Sequence, residues 1–132
     1  MKKQFLSVFL VILIFIGCSK KDSPATAAKE FVSSLINGDV KTFNKYATNN
    51  TKSLFMLALR MECSENDVKN NMSECLKEMY SSVKSVEVVS VKKINNNKAL
   101  VVLKETLIDG KIKNGEIPVI KTKDGWKVNI QK

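Results

Sequence analysis

Histidine is missing from all 132 residues, and with it go the commonest general base near neutral pH and the commonest metal-ligating side chain. Imidazole-based nucleophilic triads and most zinc sites are thereby excluded. Cysteine is scarce at three, too few for a closed four-thiolate site, and the five glycines form no loop of the kind that cradles phosphate. Arginine is nearly absent, since Arg60 stands alone among 22 cationic residues and the rest are lysine. Proteins that read bases or phosphates lean on the bidentate arginine fork. The formal charge of +9 is therefore not read as nucleic-acid binding. Asparagine is plentiful beside the lysine, as in Asn49-Asn50, Asn70-Asn71 and Asn95-Asn96-Asn97. That pairing is the translation of A- and T-rich codons, which accounts for the charge without a partner, and a diffuse attraction to an anionic bilayer is the lesser reading. No internal repeat or low-complexity segment is present.

One long apolar run exists, at residues 5–16, broken only by Ser7 and preceded by the basic head Met1-Lys2-Lys3-Gln4. As a helix it would reach ~18 Å at ~1.5 Å per residue, short of the ~30 Å of a hydrocarbon core, so it reads as a cleavable export signal. It closes on Phe15-Ile16-Gly17-Cys18, which resembles a lipobox, with Phe15 where leucine is usual. The small Gly17 lets the backbone enter a signal peptidase, and the Cys18 thiol is the acylation site. The expectation is removal of residues 1–17, a lipidated Cys18 opening a tether over residues 18–22, and one domain over residues 23–132 held to the membrane by its lipid. Ser19 after the cysteine resembles a release signal for the outer membrane, which points to that membrane's periplasmic face.

Beyond the tether the pattern is helical. Ser23 fits a cap and Pro24 the first helical position, where its missing N–H costs nothing. Ala28, Phe31, Val32, Leu35 and Ile36 form one apolar stripe, and Gly38 supplies a left-handed stop. Asp39 caps a second helix with Val40, Phe43, Tyr46 and Ala47 inward. A polar turn over residues 48–53 and a third helix over 54–61 follow, then a helix bearing Met72, Cys75, Leu76 and Met79. In an oxidising compartment Cys63 and Cys75 are an even pair, either bridged or left as two thiols. Twelve residues of unbroken helix would separate them by ~18 Å, so a bridge requires a bend, for which Asn66, Asn70, Asn71 and a capping Ser73 are suited.

From residue 83 the period falls to two. Strands are predicted over 83–94 and 99–108, the latter apolar enough at its centre for both faces to be covered. A third contains Ile117, Val119 and Ile120, and Pro118 places it at a sheet edge or breaks its pairing. Asp109-Gly110 and Asp124-Gly125 signal hairpins. Trp126, Val128 and Ile130 alternate with polar residues, so Trp126 is expected to anchor the core against Phe31 and Leu35 rather than stack on a ligand. Helices first and an antiparallel meander afterwards make an α+β fold.

Ser23-Pro24-Ala25, Phe31, Asn37-Gly38-Asp39-Val40, the valine-rich first strand and Lys123-Asp124-Gly125-Trp126-Lys127-Val128 together resemble small bacterial lipoproteins of unknown function. Those belong to the nuclear transport factor 2-like, or cystatin-like, superfamily. The resemblance implies a curved antiparallel sheet of about four strands folded around a long N-terminal helix, with a cone-shaped cavity between them. It implies no activity. The segment from Cys63 to Cys75 departs from the family pattern.

Chemistry then rests on one carboxylate. Glu105 shares strand parity with Val101, Leu103 and Leu107, so it either points inward, where loss of water would favour its protonated form and Tyr46 or Tyr80 would donate a hydrogen bond, or lies past the buried part of its strand and faces water. The second placement is expected. The chain is accordingly read as a non-catalytic binding or accessory module of the cell envelope, without metal or cofactor, taking an envelope protein or a small apolar ligand as partner. The alternative is an isomerase or hydrolase using Glu105.

Overall fold

A computed structural model gives the fold and describes residues 21–131; the basic head, the apolar run, Gly17 and Cys18 lie outside the described residues. Five helices precede four strands among the described residues: α1 (Pro24–Asn37), α2 (Val40–Tyr46), α3 (Asn49–Glu62), α4 (Glu65–Asn70), α5 (Met72–Met79), β1 (Val83–Asn95), β2 (Lys98–Leu107), β3 (Ile112–Thr122) and β4 (Gly125–Val128). The strands form one antiparallel sheet in the order β1-β2-β3-β4. Among the described residues no helix is long and apolar enough to cross a membrane.

The helix boundaries follow local chemistry. Ser23 Oγ accepts the Thr26 N–H at 3.2 Å to open α1, and Gly38 ends it at φ +68°. No other residue type fits Gly38, because a Cβ there would sit 2.5 Å from the Ser73 carbonyl oxygen. Asp39 caps α2, and hydrogen bonds from the Thr42 hydroxyl and N–H hold its carboxyl below the usual value. The polar stretch expected as a turn before α3 is instead its first turn: Thr48 is the cap, and helix begins at Asn49. Long-range bonds override the weak helix preference of Asn49, Asn50 and Ser53. Thr48 N–H donates to Val128 O at 3.0 Å, and the buried Thr51 hydroxyl donates to the same carbonyl at 3.0 Å while accepting the Ile130 N–H at 2.8 Å.

Between Cys63 and Cys75 the chain bends twice around the short helix α4, which Ser64 caps and Val68 anchors in the core. The bend brings the two Cα atoms to 6.3 Å and the sulfurs to bonding distance in a disulfide. Ser73 does not cap α5. It sits in the second position of that helix, and its hydroxyl donates to Gly38 O at 2.6 Å, tying α5 to the end of α1.

In the sheet, β1 has 13 residues against 10 paired positions on β2, with register shifts at Val83/Ser85, Val88/Ser90 and Lys93/Asn95. The extra residues Lys84, Val89 and Ile94 are bulges, which bend and twist the edge strand. Residues of β2 alternate instead of being covered on both faces. Ala99, Val101 and Leu103 are buried, whereas Leu100, Val102 and Lys104 are half-exposed. Cross-strand ion pairs run over that outer face, Lys92 to Glu116 at 2.8 Å and Lys104 to Glu87 at 3.3 Å.

Pro118 lies in an interior strand, so of the two readings the edge is not met and the break in pairing is, the β3–β4 ladder ending at Val119 opposite Val128. Its carbonyl accepts the Asn129 N–H at 2.9 Å, so its missing donor faces the β4 side just beyond Val128, and the β2–β3 ladder loses nothing.

The inner face of the sheet is covered by α1. Phe31 meets Phe43 at 5.5 Å and Phe55 edge-on at 5.4 Å. Trp126 and Val128 join the same core as Phe31 and Leu35, which is the expected role of the C-terminal strand; Ile130 is half-buried beyond its end.

Candidate functional site

Glu105 lies on β2 with the parity of Ala99, Val101 and Leu103, on the face that α1 covers, but beyond the covered stretch, where it is half-buried. The two sequence expectations for it therefore meet in one place, an inward-facing position at the open end of the core. Its register partners are Val86 on β1 and Lys113 on β3. Next along β3 on the same face is Gly115, opposite Leu103, and a Cβ built there would meet nothing within 4 Å. The missing side chain leaves a notch of about 230 Å³ lined by Leu103, Glu105, Lys113, Gly115, Glu116 and Ile117. Sequence reasoning missed both Lys113 and Gly115. The one available signal was a glycine inside a strand, which often marks a close approach or an opening.

Tyr80 closes α5 beside this notch. Burial pushes its phenol above the ordinary value, and the Glu105 charge pushes it in the same direction. Tyr80 therefore stays neutral as a hydrogen-bond donor. Of the two tyrosines considered as partners for Glu105, the structure brings Tyr80 near and leaves Tyr46 elsewhere, in a groove with Asp22, Lys45 and Trp126. No hydrogen bond joins Tyr80 to Glu105 among the described residues. Chemically the arrangement is a carboxylate facing a lysine on the neighbouring strand, with a neutral phenol and an apolar floor, open to water on one side.

The β2–β3 turn beyond the notch is apolar. Ile108 in that turn is 67% exposed, and Ile112, which pairs with Thr106 on the outer face of the sheet, is 56% exposed. Deeper in, the space between α1 and the sheet is occupied by Phe31, Val101, Val119 and Val128, so the cone-shaped cavity expected from the resemblance is filled by the chain's own side chains down to the notch.

The disulfide lines a separate groove of about 600 Å³, rimmed by the carboxylates of Glu62, Asp67, Glu74 and Glu78 and by Lys77. Among the described residues no group of three or more acidic or sulfur ligands is placed to hold a metal ion.

The profile of a family described as a domain of unknown function, DUF4878, matches residues 16–129. No curated protein matches the chain. Among solved structures, a Campylobacter jejuni protein provisionally designated an NTF2-like transpeptidase superposes with a TM-score of 0.54 at 17% identity, covering 83% of this chain and 99% of that one. A ketosteroid isomerase-like protein from Erwinia carotovora atroseptica superposes with a TM-score of 0.44 at 12% identity, covering 83% and 92%. At such identities the first likeness establishes the nuclear transport factor 2-like fold and says nothing of chemistry.

Proposed function

The chain belongs to the DUF4878 family of domains of unknown function, and from that premise we propose that it is a lipid-anchored cell-envelope protein whose folded domain is a non-catalytic module for binding a protein partner at its β2–β3 end. The observation that carries this reading is where apolar surface lies. The inner face is filled by the phenylalanine cluster and the valines around it, whereas Ile108 and Ile112 stand in solvent at the β2–β3 turn. A notch of about 230 Å³ is below the ~300 Å³ at which small-molecule pockets begin. Exposed apolar side chains next to a few polar groups suit a protein surface instead. The anchor rests on Gly17-Cys18 closing the apolar run, and in a two-membrane cell Ser19, which resembles a release signal, supports the outer membrane.

The test places a photo-crosslinking residue at Ile108 or Ile112 of the full chain in its envelope, with Lys69 on α4 as the reference position. A discrete crosslinked protein from the hairpin positions alone supports the module. The Ile108→Lys/Ile112→Lys variant should lose that product while unfolding at the same denaturant concentration as the parent. Equal crosslinking from all three positions overturns it.

One observation favours a second reading, in which Glu105 moves a proton on an apolar substrate: Tyr80, held neutral, stands close enough to feel the Glu105 charge. Turnover of apolar ketones or esters by the parent that vanishes in Glu105→Gln would establish that reading in place of the first.

A further inference from the structure

The two ends of the sheet differ in charge, and the chain enters the domain at one of them. Asp22 Oδ1 accepts the Trp126 N–H at 2.9 Å, which fixes the start of the folded chain against the β3–β4 turn. Gly125 makes the approach feasible, since a Cβ there would lie 2.9 Å from the same oxygen. The β1–β2 turn stands alongside, because Asn97 O accepts the Lys121 N–H at 2.8 Å. Around this end are Lys93, Lys98, Lys121, Lys123 and Lys127 on the two hairpins, and Lys45, which shares a groove with Asp22 and Lys123. Only Asp22 and Asp124 oppose them within those turns and that groove. The bulged Ile94, 60% exposed, sits among these lysines next to Lys93.

The acidic side chains gather elsewhere. Glu62, Asp67, Glu74 and Glu78 rim the disulfide groove, and α5, which carries two of them, is tied to Gly38 at the far end of α1. A helix of 14 residues puts that end ~21 Å from Ser23. The domain is thus polarised along α1, strongly basic where the chain enters, whereas where α1 ends the carboxylates are interspersed with Lys41, Lys69 and Lys77. None of this is visible in the linear sequence, in which lysine is spread throughout.

We propose that the end bearing the β1–β2 and β3–β4 turns is the membrane-facing surface, docking its lysines on anionic phospholipid headgroups with Ile94 at the contact. This rests on the lipid-anchored reading. Cys18 is four residues before Asp22, and a fully extended chain spans at most ~3.6 Å per residue, so the Cα of an acylated Cys18 can be no farther than ~14 Å from that of Asp22. At that distance the lysines fall within about one or two Debye lengths of the headgroups at physiological salt, ~8 Å each. The other end of α1 and the Ile108–Ile112 hairpin are then presented away from the bilayer, where a soluble partner reaches them.

The test uses the full chain, expressed in a bacterial envelope, purified in detergent and reconstituted into vesicles of phosphatidylcholine alone or mixed with phosphatidylglycerol. Exposed lysines are acetylated with a water-soluble reagent and read by peptide mass, and the peptide containing Cys18 reports the anchor in the same experiment. Acetylation of Lys93, Lys98, Lys121 and Lys123 should slow several-fold on the mixed vesicles relative to phosphatidylcholine, while Lys69, Lys77 and Lys111 keep equal rates on both. Protection should disappear at ~1 M salt, where the screening length falls to ~3 Å. In Lys121→Glu/Lys123→Glu, protection of Lys93 and Lys98 should be lost with the disulfide intact. An acylated chain with equal rates on both vesicles, or protection that survives high salt, overturns the face and leaves the anchor standing. An unmodified Cys18 in a chain that does not float with phosphatidylcholine overturns the anchor and the face together.

Discussion

The Thr51 hydroxyl shows how much one side chain holds. It is fully buried and satisfies both the Val128 carbonyl and the Ile130 N–H, groups that lie on the C-terminal strand and just past it. Thr51→Val keeps the volume and orphans the Ile130 N–H, while the Val128 carbonyl retains the Thr48 N–H, so stability to urea should fall by about 1–3 kcal/mol, the cost of one buried unsatisfied group. A loss below ~0.5 kcal/mol would show that water replaces the hydroxyl. Tyr80 supplies a pH-dependent counterpart. Its phenol is raised above 10.0, first by burial and then by Glu105, so its contribution to stability is intact below the unfolded value and is lost as pH rises through the folded one. Glu105→Gln should bring tyrosinate absorbance on at lower pH than in the parent, with Tyr80→Phe identifying the phenol concerned. An unchanged titration would mean that the Glu105 charge does not reach Tyr80. At this scale the sequence was legible where partners are local: Ser23 and Asp39 act on residues within a turn of themselves, and Gly38 was legible as a helix stop although the close approach of Ser73 to it was not. Thr51 and Gly115 were not, because their roles are set by residues far along the chain.

Among the elements, those with a clear period were readable. The α1 stripe and the alternation of β2 and β4 follow from burying one face. Helix α4 escaped because its only core contact is Val68 in an otherwise polar segment, which leaves no periodicity to detect. The bulges of β1 escaped for a related reason, since an inserted residue shifts register without altering composition. The disulfide stitches the least regular part of the fold. Because α4 brings little apolar surface of its own, the bridge that closes α3 to α5 around it should stabilise the domain by ~3 kcal/mol through the chain-entropy effect. Mass analysis of the exported protein without reductant should show two hydrogens fewer than the reduced form. Cys63→Ser/Cys75→Ser should unfold at a lower urea concentration and keep the far-ultraviolet signature of the sheet, whose residues lie outside the loop. Two thiols alkylated before reduction would contradict the pairing.

For the whole molecule, the α+β class was legible from the order of helices and strands and the turn chemistry between them, and the nuclear transport factor 2-like architecture from the resemblance carried by Ser23-Pro24-Ala25, Phe31, Asn37 to Val40 and Lys123 to Val128. The surface was not. The notch arises only when the β2–β3 register sets Gly115 against Leu103, and the basic end forms only when two hairpins and the start of the chain meet. Both features have the same consequence for function. Under the proposed function a filled interior leaves contacts to the exterior, and under the proposed docking the polarised exterior offers lipid at one end and protein at the other. That division depends on a lipid at Cys18, so the most direct measurement is the intact mass of the protein recovered from bacterial membranes after expression of the full chain. The account predicts a polypeptide beginning at Cys18 and carrying diacylglyceryl and acyl mass on that residue. A mature chain cut elsewhere, or one with an unmodified Cys18 thiol, would contradict it.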